Sequence, residues 1–204
     1  MPGQSVDLAV QFDFSEFVIW GDQMGAAADQ LPFALSLSLN QSLTKARQVM
    51  VNEWPTKVET RNVSFIGTSL RMEFSRKDNL VASIFDRLKL PIIQTLATGG
   101  RRRPFKAQRL AIPLKSWVNR GPHGVIAKQQ PARIAKDTPK RALRIVGNRM
   151  FVGESGRLHL RYTFERQAPQ PKMLNFYEDF VYVLTNGMRT GFAEAMQRAM
   201  RSRK

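Results

Sequence analysis

Cysteine is absent from the 204 residues, and the only histidines are His123 and His159. A disulfide framework, a thiolate-bound zinc or iron–sulfur site, a thiol nucleophile and a histidine-rich metal site are all excluded on that ground. Long hydrophobic runs are missing too, since no stretch approaches the roughly 18 apolar residues that a membrane-spanning helix needs. The opening residues, Met1-Pro2-Gly3-Gln4-Ser5-Val6-Asp7, lack the basic and apolar regions of a secretory signal. The expectation is a protein that works where it is made, in a cytoplasm, or in a particle assembled there.

Negative charge is the other scarcity. The chain carries 16 Asp and Glu against 32 Lys and Arg, a formal net charge of +16 and a pI near 11.1. With 43% hydrophobic and 24% charged residues it is nevertheless a folding sequence rather than a disordered polycation. The imbalance is local. Residues 1–100 hold 9 basic and 10 acidic side chains, a net −1, while residues 101–204 hold 23 and 6, a net +17. From Arg101 to Arg149 the sole acid is Asp137. Such asymmetry points to a polyanionic partner: nucleic acid, a membrane surface or an acidic protein surface. The residues read as facing that partner are Arg101, Arg102, Arg103, Lys106, Arg109, Lys128, Arg133, Lys136, Lys140 and Arg141.

Apolar spacing gives the scaffold. Phe17, Trp20, Met24, Ala28 and Leu31 recur at helical intervals behind Ser15, a candidate N-cap. A second stripe, Leu35, Leu39, Leu43, Ala46, Met50 and Trp54, follows Pro32 and is expected to stop at Pro55. It leaves Asn40, Ser42, Lys45, Arg47 and Gln48 largely off the apolar face.

The period then changes to two. Leu70, Met72 and Phe74 alternate with polar residues, Lys77-Asp78-Asn79 offers a turn, and Leu80 to Phe85 supplies a return strand. Gly99-Gly100 and Pro104 interrupt the chain before the apolar segment Leu110 to Leu114. Residues 115–140 show neither period and read as a long basic loop or arm. Leu143 to Val146 and Met150 to Val152 flank a Gly147-Asn148 turn. Leu158, Leu160, Tyr162 and Phe164 alternate with Arg157, His159, Arg161 and Thr163 as one further strand.

The last segment is the strongest helix. Phe176, Phe180, Leu184, Met188, Phe192, Met196 and Met200 recur every four residues. Asn175 and Glu178 have capping-box spacing, and Asn186-Gly187 marks a place for a kink. Glu178 and Asp179 at the start, with Arg198, Arg201, Arg203 and Lys204 at the end, suit the helix dipole. The sum is one α+β domain over residues 1–204, an antiparallel sheet with an N-terminal helical region and a long C-terminal helix packed on it, plus the basic extended loop.

Chemistry is sparse. No phosphate-binding Gly-Lys-Ser/Thr step follows Gly99-Gly100, there is no Gly-x-Ser-x-Gly elbow or His-Glu-x-x-His, and neither histidine has a Ser or carboxylate at a recognisable spacing. Each histidine reads as a surface or structural residue. These absences leave a catalytic role without support, and a hydrolase or nuclease with a non-standard site is the weakest reading. Phe105, Trp117 and Phe151 offer faces on which a base could stack, though core positions suit them better. No zinc finger, RNP motif or helix-turn-helix spacing appears.

One ordered set of features resembles the minor tail protein Z, or tail-completion, family of tailed bacteriophages. It comprises Leu39-Asn40-Gln41-Ser42-Leu43-Thr44-Lys45-Ala46-Arg47, then Pro55-Thr56, Lys77-Asp78, Gly99-Gly100-Arg101-Arg102, an apolar segment ending at Pro113, and Phe192-Ala193-Glu194-Ala195-Met196-Gln197-Arg198-Ala199-Met200. The resemblance implies a non-enzymatic virion protein, with no cofactor, forming a homo-oligomeric ring at the head–tail junction. Its implied partners are connector or portal-side proteins, tail-tube or tail-terminator proteins, and packaged DNA in the lumen, with no membrane. The alternative from another class is a basic, sequence-independent nucleic-acid-binding protein.

Overall fold

The two longest apolar stripes of the sequence find each other. In the computed structural model, which describes residues 7–8, 13–25, 29–58, 62, 64–104, 107–121 and 124–202, the elements run in chain order as follows. They are β1 (Asp7–Leu8), α1 (Ser15–Gln23), α2 (Gln30–Lys57), α3 (Phe65–Ser69), β2 (Leu70–Glu73), β3 (Ser83–Asp86), α4 (Pro91–Thr98), β4 (Gly100–Arg102) and β5 (Leu110–Pro113). There follow β6 (Arg120–Gly121), β7 (Gly124–Val125), a 3-10 turn (Ala127–Gln129), α5 (Pro131–Asp137), β8 (Leu143–Val146), β9 (Arg149–Glu154), β10 (Arg157–Glu165), β11 (Ala168–Gln170) and α6 (Phe176–Arg201). The class is α+β, and the sheets are antiparallel. Ala28, Phe105, Lys106, Pro122, His123, Arg203 and Lys204 lie outside the described residues.

Where the sequence was read as one domain, the contacts divide the chain into two units. The first comprises residues 1–58, 64–98 and 172–204, and the second residues 59–63 and 99–171.

In the first unit α2 and α6 are the main packing pair, so the C-terminal helix rests chiefly on another helix. Ser42 lies opposite Gly187 and Ser38 opposite Gly191, which makes the pair antiparallel. A Cβ on Gly187 would sit 2.6 Å from Ser42 Oγ and 2.9 Å from its Cβ. Gly187 is therefore a point of close helix contact inside a continuous α6, in place of the expected kink. Around that crossing Leu39, Leu43, Met50, Phe180, Leu184, Met188 and Phe192 are all buried. Each such side chain contributes about 1.5–3 kcal/mol of transfer free energy. Phe17 of α1 closes the other side, 5.1 Å from Phe192 in an edge-to-face contact.

Three helix boundaries differ from expectation, each for a local reason. Phe14 occupies the N-cap position and Ser15 is the first helical residue, while Asp13 Oδ1 accepts the Ser15 N–H at 2.9 Å and the Ser15 hydroxyl at 2.7 Å. These two bonds hold the exposed Asp13 carboxyl below its usual pKa, the backbone bond more than the hydroxyl. Pro55 does not stop α2. It removes one backbone bond in the last turn, while Val58 N–H still reaches Trp54 O at 2.9 Å and Lys57 Nζ pairs with Glu53 at 3.1 Å. At α6 no side chain caps Asn175, because Glu178 turns to Lys172 Nζ at 2.5 Å; that bond lowers the Glu178 pKa.

Polar residues of α2 expected off the apolar face do structural work. Asn40 brackets the chain at Ser75, accepting its N–H at 2.8 Å and donating to its carbonyl at 3.0 Å. Arg47 donates to the carbonyls of Leu70 (2.9 Å) and Gly67, and Ser42 is buried against α6. The hairpin pairs as expected, Leu70 with Asp86 and Met72 with Ile84, and β1 adds a third strand beside β3. Helices α3 and α4 are too short for a periodic signal and were not anticipated.

The second unit is built on a four-stranded sheet in the order β5-β10-β9-β8. The Gly147-Asn148 turn forms as expected, with Val146 opposite Arg149 and Gly147 at φ 59°. Along β10 the strict alternation fails. The register slips between Leu160 and Tyr162, where Arg161 is the extra residue of a bulge. His159 consequently pairs with Val152 and shares a face with Tyr162 and Met150, while Leu158 and Leu160 turn to the opposite face.

Residues 115–140, read from the sequence as a long basic loop or arm, contain short elements. They hold the β6/β7 hairpin, the 3-10 turn and α5, whose first residue is Pro131. Val118 is buried with Met150 and Tyr162, Val125 and Ile134 pack on that cluster, and Tyr162 donates its hydroxyl to Gln129 O at 2.8 Å. Burial raises the Tyr162 pKa. The anchors are too few and too irregularly spaced to register as a period.

Candidate functional site

Seventeen Lys and Arg and three Asp and Glu lie between Gly99 and Pro171, a net +14 on one inserted segment. Nine of the ten candidate residues are described, and all nine are exposed. Lys106 falls outside the described residues. Arg101 and Arg102 belong to β4, which pairs with β11 so that Arg101 stands opposite Pro169 and Arg102 opposite Ala168. Gly99 and Gly100, both at positive φ (74° and 116°), turn the chain into that strand. Arg103 follows it and Arg109 immediately precedes β5. Lys128 lies in the 3-10 turn, Arg133 and Lys136 on α5, and Lys140 and Arg141 in the turn after it. Arg133 pairs with Asp137 at 3.2 Å across one helical turn, and both side chains stay more than half exposed. Such a pair is worth at most about 0.5 kcal/mol.

The ten candidates do not form one site. Arg101 and Arg109, eight positions apart, converge on an open groove of about 570 Å³, where they meet Arg166, Asn148, Phe164 and Glu165. Arg166 had drawn no attention in the sequence, because it is one arginine at the end of a strand pattern. Only the β4–β11 pairing brings its segment back beside Arg101. The groove's carboxylate is engaged, since Glu165 Oε1 accepts the Asn148 amide at 2.6 Å. Among the described residues none of the three guanidiniums has an acidic partner within 4 Å. Three cations and one carboxylate leave the groove at about +2.

One cation of this unit is spent on the fold instead. Arg161, expected on a basic strand face, is buried: it donates to Trp117 O at 2.6 Å, ion-pairs with Glu154, and lies 5.1 Å from the Trp117 ring centre. His159 packs on the same indole with ring centres 4.0 Å apart. Trp117 and His159 are accordingly committed to packing, and no base can enter between them.

In the first unit the carboxyl groups of Asp179 and Glu53 face each other across the α2–α6 pair. Desolvation first, then the Glu53 carboxyl, raises the Asp179 pKa, with Lys57 acting in the opposite sense. Asp179 Oδ2 and the indole N–H of Trp54 are buried without hydrogen-bond partners. Among the described residues no helix is long and apolar enough to cross a membrane, and no three His, Asp or Glu side chains converge to hold a metal ion. No family model, curated protein or solved structure matches the chain.

Proposed function

We propose that the chain is a non-enzymatic structural protein of a bacteriophage virion, forming a ring at the head–tail junction that completes the tail and joins it to the head-side connector. The order of residue patterns from Leu39 to Met200 supports this reading. The observation that carries it is the sheet of the second unit, whose outer strands β5 and β8 have no neighbour among the described residues. Both edges are apolar, with Ile112, Leu114, Ile145 and Val146 exposed. A free edge is a template for pairing with another chain. When two different edges of the same subunit pair, the contact is heterologous and closes into a ring if the rotation permits. Repeating a +14 segment around such a ring concentrates a positive field suited to acidic connector surfaces or to DNA in a lumen.

The test is assembly state. Mass photometry and negative-stain microscopy of the purified protein, alone and with connector and tail proteins from the same phage, should show closed rings. Ile145→Lys with Val146→Lys should abolish them. A wild-type protein that stays monomeric with those proteins present sinks the reading, as would flanking genes that encode no capsid, connector or tail component.

A further inference from the structure

We infer that the groove between Arg101, Arg109 and Arg166 is a binding site for a single-stranded stretch of nucleic acid, with phosphates on the guanidiniums and a base against Phe164. The inference rests on the basic surface discussed above and not on the ring. Four observations favour this ligand over an acidic protein segment. All three cations are arginines, whose planar fork matches phosphate oxygens bidentately, whereas a general acidic surface is served as well by lysine. Among the described residues they have no acidic partner, and the one carboxylate beside them is held by Asn148, so the positive field points into open space. Phe164, half-buried and stacked on Tyr162 at 6.3 Å with an interplanar angle of 21°, is a rigid aromatic wall beside those charges. Base stacking on such a ring is tolerant of sequence. A volume of about 570 Å³ also exceeds what a lone phosphate or carboxylate needs.

The aromatic residues read from the sequence as stacking candidates are not those that serve here. Trp117 is covered by His159 and Arg161. Phe164 keeps the apolar strand face assigned to it, packing on the Tyr162 cluster, and the β4–β11 pairing brings the arginine-bearing segments beside it.

The experiment is fluorescence anisotropy of the full-length protein with a labelled oligothymidylate, a duplex of equal length and a poly-glutamate peptide, each over a salt series. The single strand should bind best. Arg101→Ala with Arg109→Ala and Arg166→Ala should weaken it by about thirtyfold or more and flatten the slope of log K against log salt by about 2. The charge-matched control Lys128→Ala with Lys136→Ala and Lys140→Ala should cost less than about threefold. Phe164→Leu should weaken the single strand by about fivefold or more while leaving the duplex unchanged.

Equal losses from the two triple variants, or equal affinity for poly-glutamate, overturn the site. Photocrosslinking of the unmodified protein to a 4-thiouracil oligonucleotide keeps the question open to a result if a variant misfolds. Crosslinks should map to residues 101–109 and 164–169, and crosslinks confined elsewhere overturn the inference. Wild-type protein that assembles with head and tail proteins but binds no oligonucleotide defeats the groove alone. Oligonucleotide binding by a protein that never assembles defeats the ring alone.

Discussion

The two units solve different problems with the same chain. The first is near neutral, with 14 basic and 12 acidic residues, and its core cluster joins 21 buried side chains. The second carries 18 basic and 4 acidic residues and centres on a buried cluster of three, Val118, Met150 and Tyr162. Stability is concentrated where charge is balanced, and charge is concentrated where the core is thin. Mutual repulsion among unpaired arginines costs stability that a large apolar core can absorb and a small one cannot. The connectivity fits this division. The main segment of the second unit leaves after Thr98 and returns before Lys172, and Leu96 O accepts both Met173 N–H (2.9 Å) and Leu174 N–H (3.1 Å), so the first unit ties the two ends of that segment together itself.

The sharpest way to break the comparison is to remove one side of it. Replacing residues 99–171 with a short Gly/Ser linker should leave a helical protein that unfolds cooperatively in urea, followed by far-UV circular dichroism. Loss of the transition would show that the first unit needs the insertion to fold. Next in size, Phe180→Ala should destabilise the first unit by about 3–5 kcal/mol, whereas Met150→Ala in the thinner core of the second should cost about 2–3 kcal/mol. Equal losses would erase the contrast. Arg161→Ala should then cost about 1–3 kcal/mol and be felt by Trp117 fluorescence but not by Trp54, since Glu154 is half exposed and only partly desolvated by losing its partner.

Within the first unit, Gly187→Ala should cost about 1–3 kcal/mol by driving a methyl into Ser42, and Ser42→Gly should recover most of it. Failure of that rescue would remove the close crossing as the cause. The smallest effect concerns pH. A carboxyl whose folded pKa is raised holds its proton more tightly than the unfolded chain does, so its stabilising contribution is complete at low pH and lost as pH rises through the folded value. Asp179→Asn should therefore raise Tm at pH 7, with the gain shrinking as pH falls toward about 4. A gain that does not change with pH would exclude the Asp179–Glu53 repulsion as its source.

Much of the scaffold was legible because it is written in local period. The α2 and α6 stripes, the Leu70–Asp86 hairpin and the Gly147 turn each rest on a pattern read along one continuous segment of the chain. The misses were of another kind. Nothing around Arg161 in sequence announces that β10 slips there by one residue, and the apolar anchors of residues 115–140 make sense only against Met150 and Tyr162. Of the site, the charge excess was plain and its grouping was not. Arg101 and Arg109 were named among ten candidates, and Arg166 and Phe164 were not distinguished from ordinary strand residues.

Sequence alone determined that this is an α+β protein without thiol chemistry, that its excess of positive charge lies beyond residue 100, and that two long helices carry its main apolar faces, because composition and periodicity are properties of the chain before it folds. Tertiary structure decided that those helices meet at Ser42 and Gly187, that one arginine is buried on an indole, and which three others share a groove. Each of these depends on register and on segments far apart in sequence, where a shift of one residue turns a side chain to the opposite face.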